Sequence, residues 1–186
     1  MFSLPSMPPY DGLHPAVVHF PIALIFVTPL LIVLAMVWKK QTLGLLVGAA
    51  VLMIVGAACA WLATSTGNAA EQEAPRVQVI RQLIQDHEAL AETARNLTTL
   101  LAVTLIVASL AYAKWQDKLS RGPVFAAGAV FLIANIATAL VMVNAAHQGG
   151  RLVHEFGVKA RLEALAAPVP SGPKGAATSL QGANPN

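Results

Sequence analysis

The sequence predicts an all-α fold, an integral membrane four-helix bundle, and three observations carry that prediction. Apolar residues make up 56% of the 186-residue chain, and its mean hydropathy is +0.62. Only 11% of residues are charged, 12 Lys and Arg with 9 Asp and Glu, where a soluble domain carries about a quarter. The charges are also clumped: 12–38, 41–70, 96–113 and 122–150 hold none. Each of these stretches can hold the roughly 20 apolar residues that cross a bilayer as a helix. A soluble globular domain and a largely disordered chain are both excluded. One cysteine, Cys59, excludes an internal disulfide.

Span 1 is expected from about Pro15 to Trp38, ending at Lys39-Lys40. It has no basic segment ahead of it and is longer than the core of a cleavable leader, so it is read as a true span. Pro21 should kink its start. Span 2 is expected over Leu43 to Ala63, with Thr64-Ser65-Thr66-Gly67-Asn68 as its stop. It is rich in Gly and Ala, which allows close helix packing and would equally admit a flat cofactor.

Helix 3 is predicted over 76–113 as one long helix. Apolar or small residues at 77, 80, 84, 91, 94 and 98, with His87 among them, follow helical spacing. Its first half should extend outside the membrane and its second half should span it. Span 4 starts after Gly122-Pro123, with proline in the first turn, and reaches about Ala146. The domain layout is thus a 1–12 extension, a 13–165 transmembrane domain and a disordered tail over 166–186, rich in Pro, Gly, Ala and Ser.

Basic residues of the short loops set the orientation. Lys39, Lys40, Lys114, Lys118 and Arg121, against one acid, Asp117, mark the cytoplasmic face. Both termini and the 2–3 connection are expected outside, in the periplasm of a bacterial inner membrane.

All five histidines, His14, His19, His87, His147 and His154, fall on that outer face. His14 precedes Pro15, where it could simply cap the helix, and His19 lies about one turn into span 1. His87 sits within the apolar stripe of helix 3. Thr138, Asn144, His147, Arg151 and His154 recur at near-helical steps, and share a face if span 4 continues past Gly149-Gly150. Polar side chains at such depth are costly and mark functional sites. Neutral imidazole ligates metals and haem iron.

A haem site would draw on His19, His87 and His147 first, then His14 and His154, with His19 or His14 opposite His87 or His147 across the bundle. Asn144 lies about one turn from His147, and Arg151 could pair with a propionate. A bare copper or zinc site would need three or four ligands, with His19, His87 and His147 as its core. A third possibility is a structural subunit of a larger membrane complex whose histidines only cap helices. No phosphate loop, HExxH, CxxCH or nucleophile elbow is present. The spans hold no Asp, Glu, Lys or Arg, which argues against a proton relay.

The opening His14-Pro15-Ala16-Val17-Val18-His19-Phe20-Pro21-Ile22 resembles the HPxxVHFPI start of a bacterial four-helix membrane family, domain of unknown function 2231. The third-helix His87 and the closing His147-Gln148-Gly149-Gly150-Arg151-Leu152-Val153-His154 also match it. Phe156 stands where many members have histidine. The resemblance covers about 13–158. It implies a redox setting, because members are often linked to c-type cytochrome or Rieske domains and their layout is similar to b-type membrane cytochromes. The expected role is haem b binding and electron transfer with a periplasmic partner, as a carrier or subunit and not a free-standing enzyme.

Overall fold

The computed structural model describes residues 8–72, 74 and 76–158. The tail expected over 166–186 lies outside the described residues, as does most of the 1–12 extension. A 3-10 turn, Tyr10–Leu13, leads into α1 (His14–Val17) and α2 (His19–Val37). A second such turn, Lys39–Gln41, leads into α3 (Thr42–Glu71), followed by α4 (Gln78–Trp115) and α5 (Arg121–His154). No strand occurs among the described residues. Four stretches, Tyr10–Val37, Lys39–Glu71, Gln78–Trp115 and Arg121–His154, are long and apolar enough to cross a membrane.

The helices form a ring in chain order: α3 packs on α2 and α4, α4 on α5, and α5 closes on α2. Ile25, Ile32, Met53, Leu101, Leu105 and Phe131 fill the centre. The outer surface is equally apolar, with Leu30, Leu110 and Ile133 all exposed, as a lipid-facing surface requires. At the histidine end, Ile80, Leu83 and Ile84 of α4 meet Leu152 of α5 in a second small core, covered by Phe156. Most of the predicted α4 stripe faces inward, although Val77 at its head is exposed.

Two helix ends differ from expectation. The Thr64–Asn68 segment does not stop span 2, because α3 continues to Glu71. The hydroxyls of Thr64 and Thr66 donate to Ala60 O and Leu62 O within the helix, which lets a polar run stay helical. Likewise α5 runs through Gly149-Gly150 to His154. Beyond it, the amides of Phe156 and Val158 bond back to Arg151 O and Leu152 O. Gly157 takes the left-handed conformation that this ending needs, at φ 64°.

Prolines leave carbonyls without helical partners. The chain breaks between α1 and α2 at Val18, where Pro21 has no N–H to give Val17 O. Pro29 lies inside α2 and for the same reason orphans Ile25 O. That carbonyl is rescued from across the bundle: Nδ2 of buried Asn135, on α5, donates to it at 3.1 Å. At the other end of α2, Arg121 donates to Met36 O and, at 3.3 Å, to Thr42 Oγ1, tying the start of α5 to the α2–α3 corner.

The two helical hairpins, α2–α3 and α4–α5, repeat one another. With His14 in register with His87, buried Pro21, Ile25, Thr28 and Ile32 of α2 correspond to buried Ala94, Thr98, Leu101 and Leu105 of α4. Buried Ala49, Met53, Ala57, Ala60 and Ala63 of α3 correspond, with Ala63 in register with Ala145, to Phe131, Asn135, Ala139, Met142 and Ala145 of α5. The two hairpins therefore repeat one burial pattern with the same direction through the bundle, as in the parallel type of membrane repeat.

The Pro29–Asn135 link predicts a double-mutant cycle. Asn135→Leu alone should lower stability in detergent by about 1 kcal/mol by stranding Ile25 O. In a Pro29→Ala background the restored amide serves that carbonyl, and the same change should cost far less. Equal costs in both backgrounds, read by thermal unfolding, would show that the bond carries no such load.

Candidate functional site

The structure brings two of the five histidines together. His14 opens α1, and His87 lies in the outer part of α4. These are diagonal elements of the ring, so their rings meet across the bundle axis. The ring centres are 6.3 Å apart and the planes cross at 89°. Both rings are half-buried.

Each ring is held in the same way by the next helix of its own hairpin. His14 Nδ1 lies 2.8 Å from Ala63 O on α3, and His87 Nδ1 lies 2.8 Å from Ala145 O on α5. One helical turn beyond each carbonyl comes a glycine, Gly67 and Gly149, against whose backbone the ring rests. Thr66 Oγ1 adds a 3.4 Å contact to His14 Nδ1. Above it, Tyr10 donates to Ser65 Oγ at 2.8 Å and pins the leading turn to α3.

The partners fix the protonation of the neutral rings. A carbonyl oxygen can only accept, so each Nδ1 carries the proton and each Nε2 keeps its lone pair. This is the tautomer of a metal-ligating histidine, in which a backbone carbonyl holds Nδ1–H and orients the ring. Neither ring pairs with a carboxylate among the described residues.

The other expected site residues lie elsewhere. His19, His147 and His154 are all exposed. The expected shared face of α5 is corrected on a simple register. Its buried stripe runs Thr138, Met142, Ala145 and Leu152, so His147, two residues past Ala145, projects from nearly the opposite side. Asn144 is exposed and donates to Leu140 O in its own helix. Arg151 is engaged by Glu155 at 3.0 Å and Gln148 at 3.2 Å. The expected grouping of His19, His87 and His147 therefore does not form, and no group of three metal-binding side chains occurs among the described residues.

The partner of His87 is thus His14, which the sequence also allows as a mere cap. The signal that singles it out is the repeat. Each of the two histidines is answered by an Ala-x-x-x-Gly in the following helix, Ala63–Gly67 and Ala145–Gly149.

Nitrogen NMR of the cofactor-free protein should find His14 and His87 protonated at Nδ1 and bare at Nε2. Either ring protonated at Nε2 alone would contradict the carbonyl anchoring.

No curated protein matches the chain, and no solved structure does. A family profile described as a predicted membrane protein, DUF2231, matches residues 10–161, a range that takes in both histidines, both Ala-x-x-x-Gly segments and all four spans. On that match the chain belongs to the DUF2231 family of membrane proteins.

Proposed function

We propose that this protein binds a b-type haem between His14 and His87 and exchanges electrons with a partner on the histidine side of the membrane. The observation that carries this reading is the pair itself: two imidazoles from diagonal helices, both anchored through Nδ1. His14 and His87 would be the residues to hold the iron, through the Nε2 that each anchored ring leaves free. Their ring centres are 6.3 Å apart.

Two donors suit haem, whose macrocycle supplies the remaining four, and leave zinc or copper(II) short of its usual three or four protein ligands. The small buried residues Ala57, Ala60 and Ala63 on α3, with Ala139 and Ala145 on α5, keep the flanking helix faces smooth. At the same end a groove is lined by Asn68, Glu71, Arg76, Arg81 and Gln85, of which the two arginines are the groups that could pair with haem carboxylates. Haem would supply one-electron chemistry, and the chain's own part is to hold and orient both imidazoles in a low-dielectric setting.

The positive-inside bias puts the histidine end on the outer face of a bacterial cytoplasmic membrane. The electron partner is then a periplasmic redox protein, or a neighbouring subunit with an outward-facing redox group.

A second reading rests on the same two hydrogen bonds. Each imidazole ties two helices together, and that alone could be its task.

The test is a reduced-minus-oxidised absorption spectrum of the detergent-purified protein from a haem-replete host, with metal analysis of the same sample. Sharp alpha and Soret bands are expected. His14→Ala or His87→Ala should abolish them, and His19→Ala, His147→Ala and His154→Ala should keep them. A colourless, metal-free protein would favour the helix-tying reading. Bound copper without a Soret band would point to a bare metal site.

A further inference from the structure

We infer that Gly67 and Gly149 are equivalent positioning residues that set the perpendicular crossing of the two imidazoles at the shared ligand. The inference rests on the haem reading and adds to it the orientation of the axial planes.

A methyl group built on Gly67 would lie 3.0 Å from His14 Cε1 and 3.2 Å from Nδ1. On Gly149 it would lie 3.1 Å from His87 Cε1 and 3.4 Å from Nδ1. In both cases the methyl meets the Nδ1–Cε1 edge of the ring, in the same order of approach. That is the edge whose nitrogen donates to the carbonyl one turn earlier in the same helix, Ala63 O or Ala145 O. The helix thus holds each ring at one edge: the carbonyl draws the edge in, and the absent side chain leaves room for it to approach the backbone. A methyl would turn the ring out by a few tenths of an ångström. The terminal atoms of a long side chain could swing aside; a ring fixed through Nδ1 has only rotation open to it.

The repeat makes this a property of the pair. Each hairpin holds one ring against its own helix in the same way, and the two planes cross at 89°. Perpendicular axial imidazoles leave the two iron dπ orbitals that face them nearly degenerate. Ferric haem then gives a highly anisotropic low-spin paramagnetic resonance signal. Parallel rings lift that degeneracy and give a rhombic one.

The experiment is resonance spectroscopy and redox titration of the haem-loaded full chain in detergent, comparing wild type with Gly67→Ala, Gly149→Ala and Gly150→Ala. Gly150 is the control, because a methyl there meets nothing within 4 Å. Wild type and Gly150→Ala should both show the highly anisotropic signal. Gly67→Ala and Gly149→Ala should each keep stoichiometric haem and a near-normal melting point, but move the signal towards the rhombic form and shift the midpoint potential in the same direction.

Haem loss in Gly67→Ala with a shifted signal in Gly149→Ala would also support the role, since the Gly67 methyl makes the closer approach. Both variants indistinguishable from wild type would overturn it, as would a rhombic wild-type signal. A wild type that takes up no haem overturns the haem reading itself, and the positioning role with it.

Discussion

The main-chain carbonyl is the acceptor on which this structure depends. The spans hold almost no side chains able to pair with one another, and lipid offers no water to satisfy a backbone group. Five of the hydrogen bonds that join one helix to another end on peptide oxygens. Asn135 reaches Ile25 O, Arg121 reaches Met36 O, Thr42 reaches Ala35 O, His14 reaches Ala63 O and His87 reaches Ala145 O. Prolines decide some of these points by removing an amide, as Pro29 does for Ile25. Others use the second lone pair of a carbonyl already bonded within its helix. The pattern explains how a bundle with a nearly uniform apolar surface acquires one register: the polar donors are few, and their acceptors are fixed points on neighbouring helices.

The repeated burial pattern turns that register into a site. The first helices of the two hairpins are diagonal in the ring. A histidine in the outer part of each thus becomes a facing pair. At mid-bundle Met53 corresponds to Asn135, and there the halves have diverged. Asn135 serves Ile25 O and leaves its own buried Oδ1 without a partner, while Met53 packs against Thr28. The outer pair has kept its equivalence where the middle has not, the pattern expected if function acts on the pair.

Much of the fold was legible because bilayer physics writes itself into composition. Charge-free stretches of sufficient length, terminal lysines and a helical stripe in α4 locate four helices without reference to packing. The ends of α3 and α5 were harder to see. Thr64, Thr66, Gly149 and Gly150 read as breakers by propensity, yet hydroxyl back-bonding and tertiary contact keep them helical. The gathering of histidines at one end was also visible, but their pairing was not. His19 and His147 sit in conspicuous motifs, yet a shift of two residues on a helix turns a side chain to the opposite face. The choice of His14 over His19 needs the rotational phase of α1 against α3. That phase is fixed by Pro21, the break at Val18 and the Tyr10–Ser65 contact, none of which periodicity reports. A comparison of the chain with itself points to the pair, because an Ala-x-x-x-Gly follows each of the two histidines in the next helix, 49 residues on in one half and 58 in the other.

The position of the pair along the bundle constrains what the protein can do. From His87, α4 continues to Trp115 at the far end, a rise of about 40 Å. No histidine stands along that path or at the lysine-rich end. A second axial pair near the other face, which a through-membrane electron route of stacked haems would need, has no residues to form it. On the haem reading, electrons enter and leave on the same side. The membrane then serves as a rigid, low-dielectric mount that holds the imidazoles and dehydrates the iron, and selectivity for a partner rests with the polar rim of α3, α4 and α5 at the histidine end.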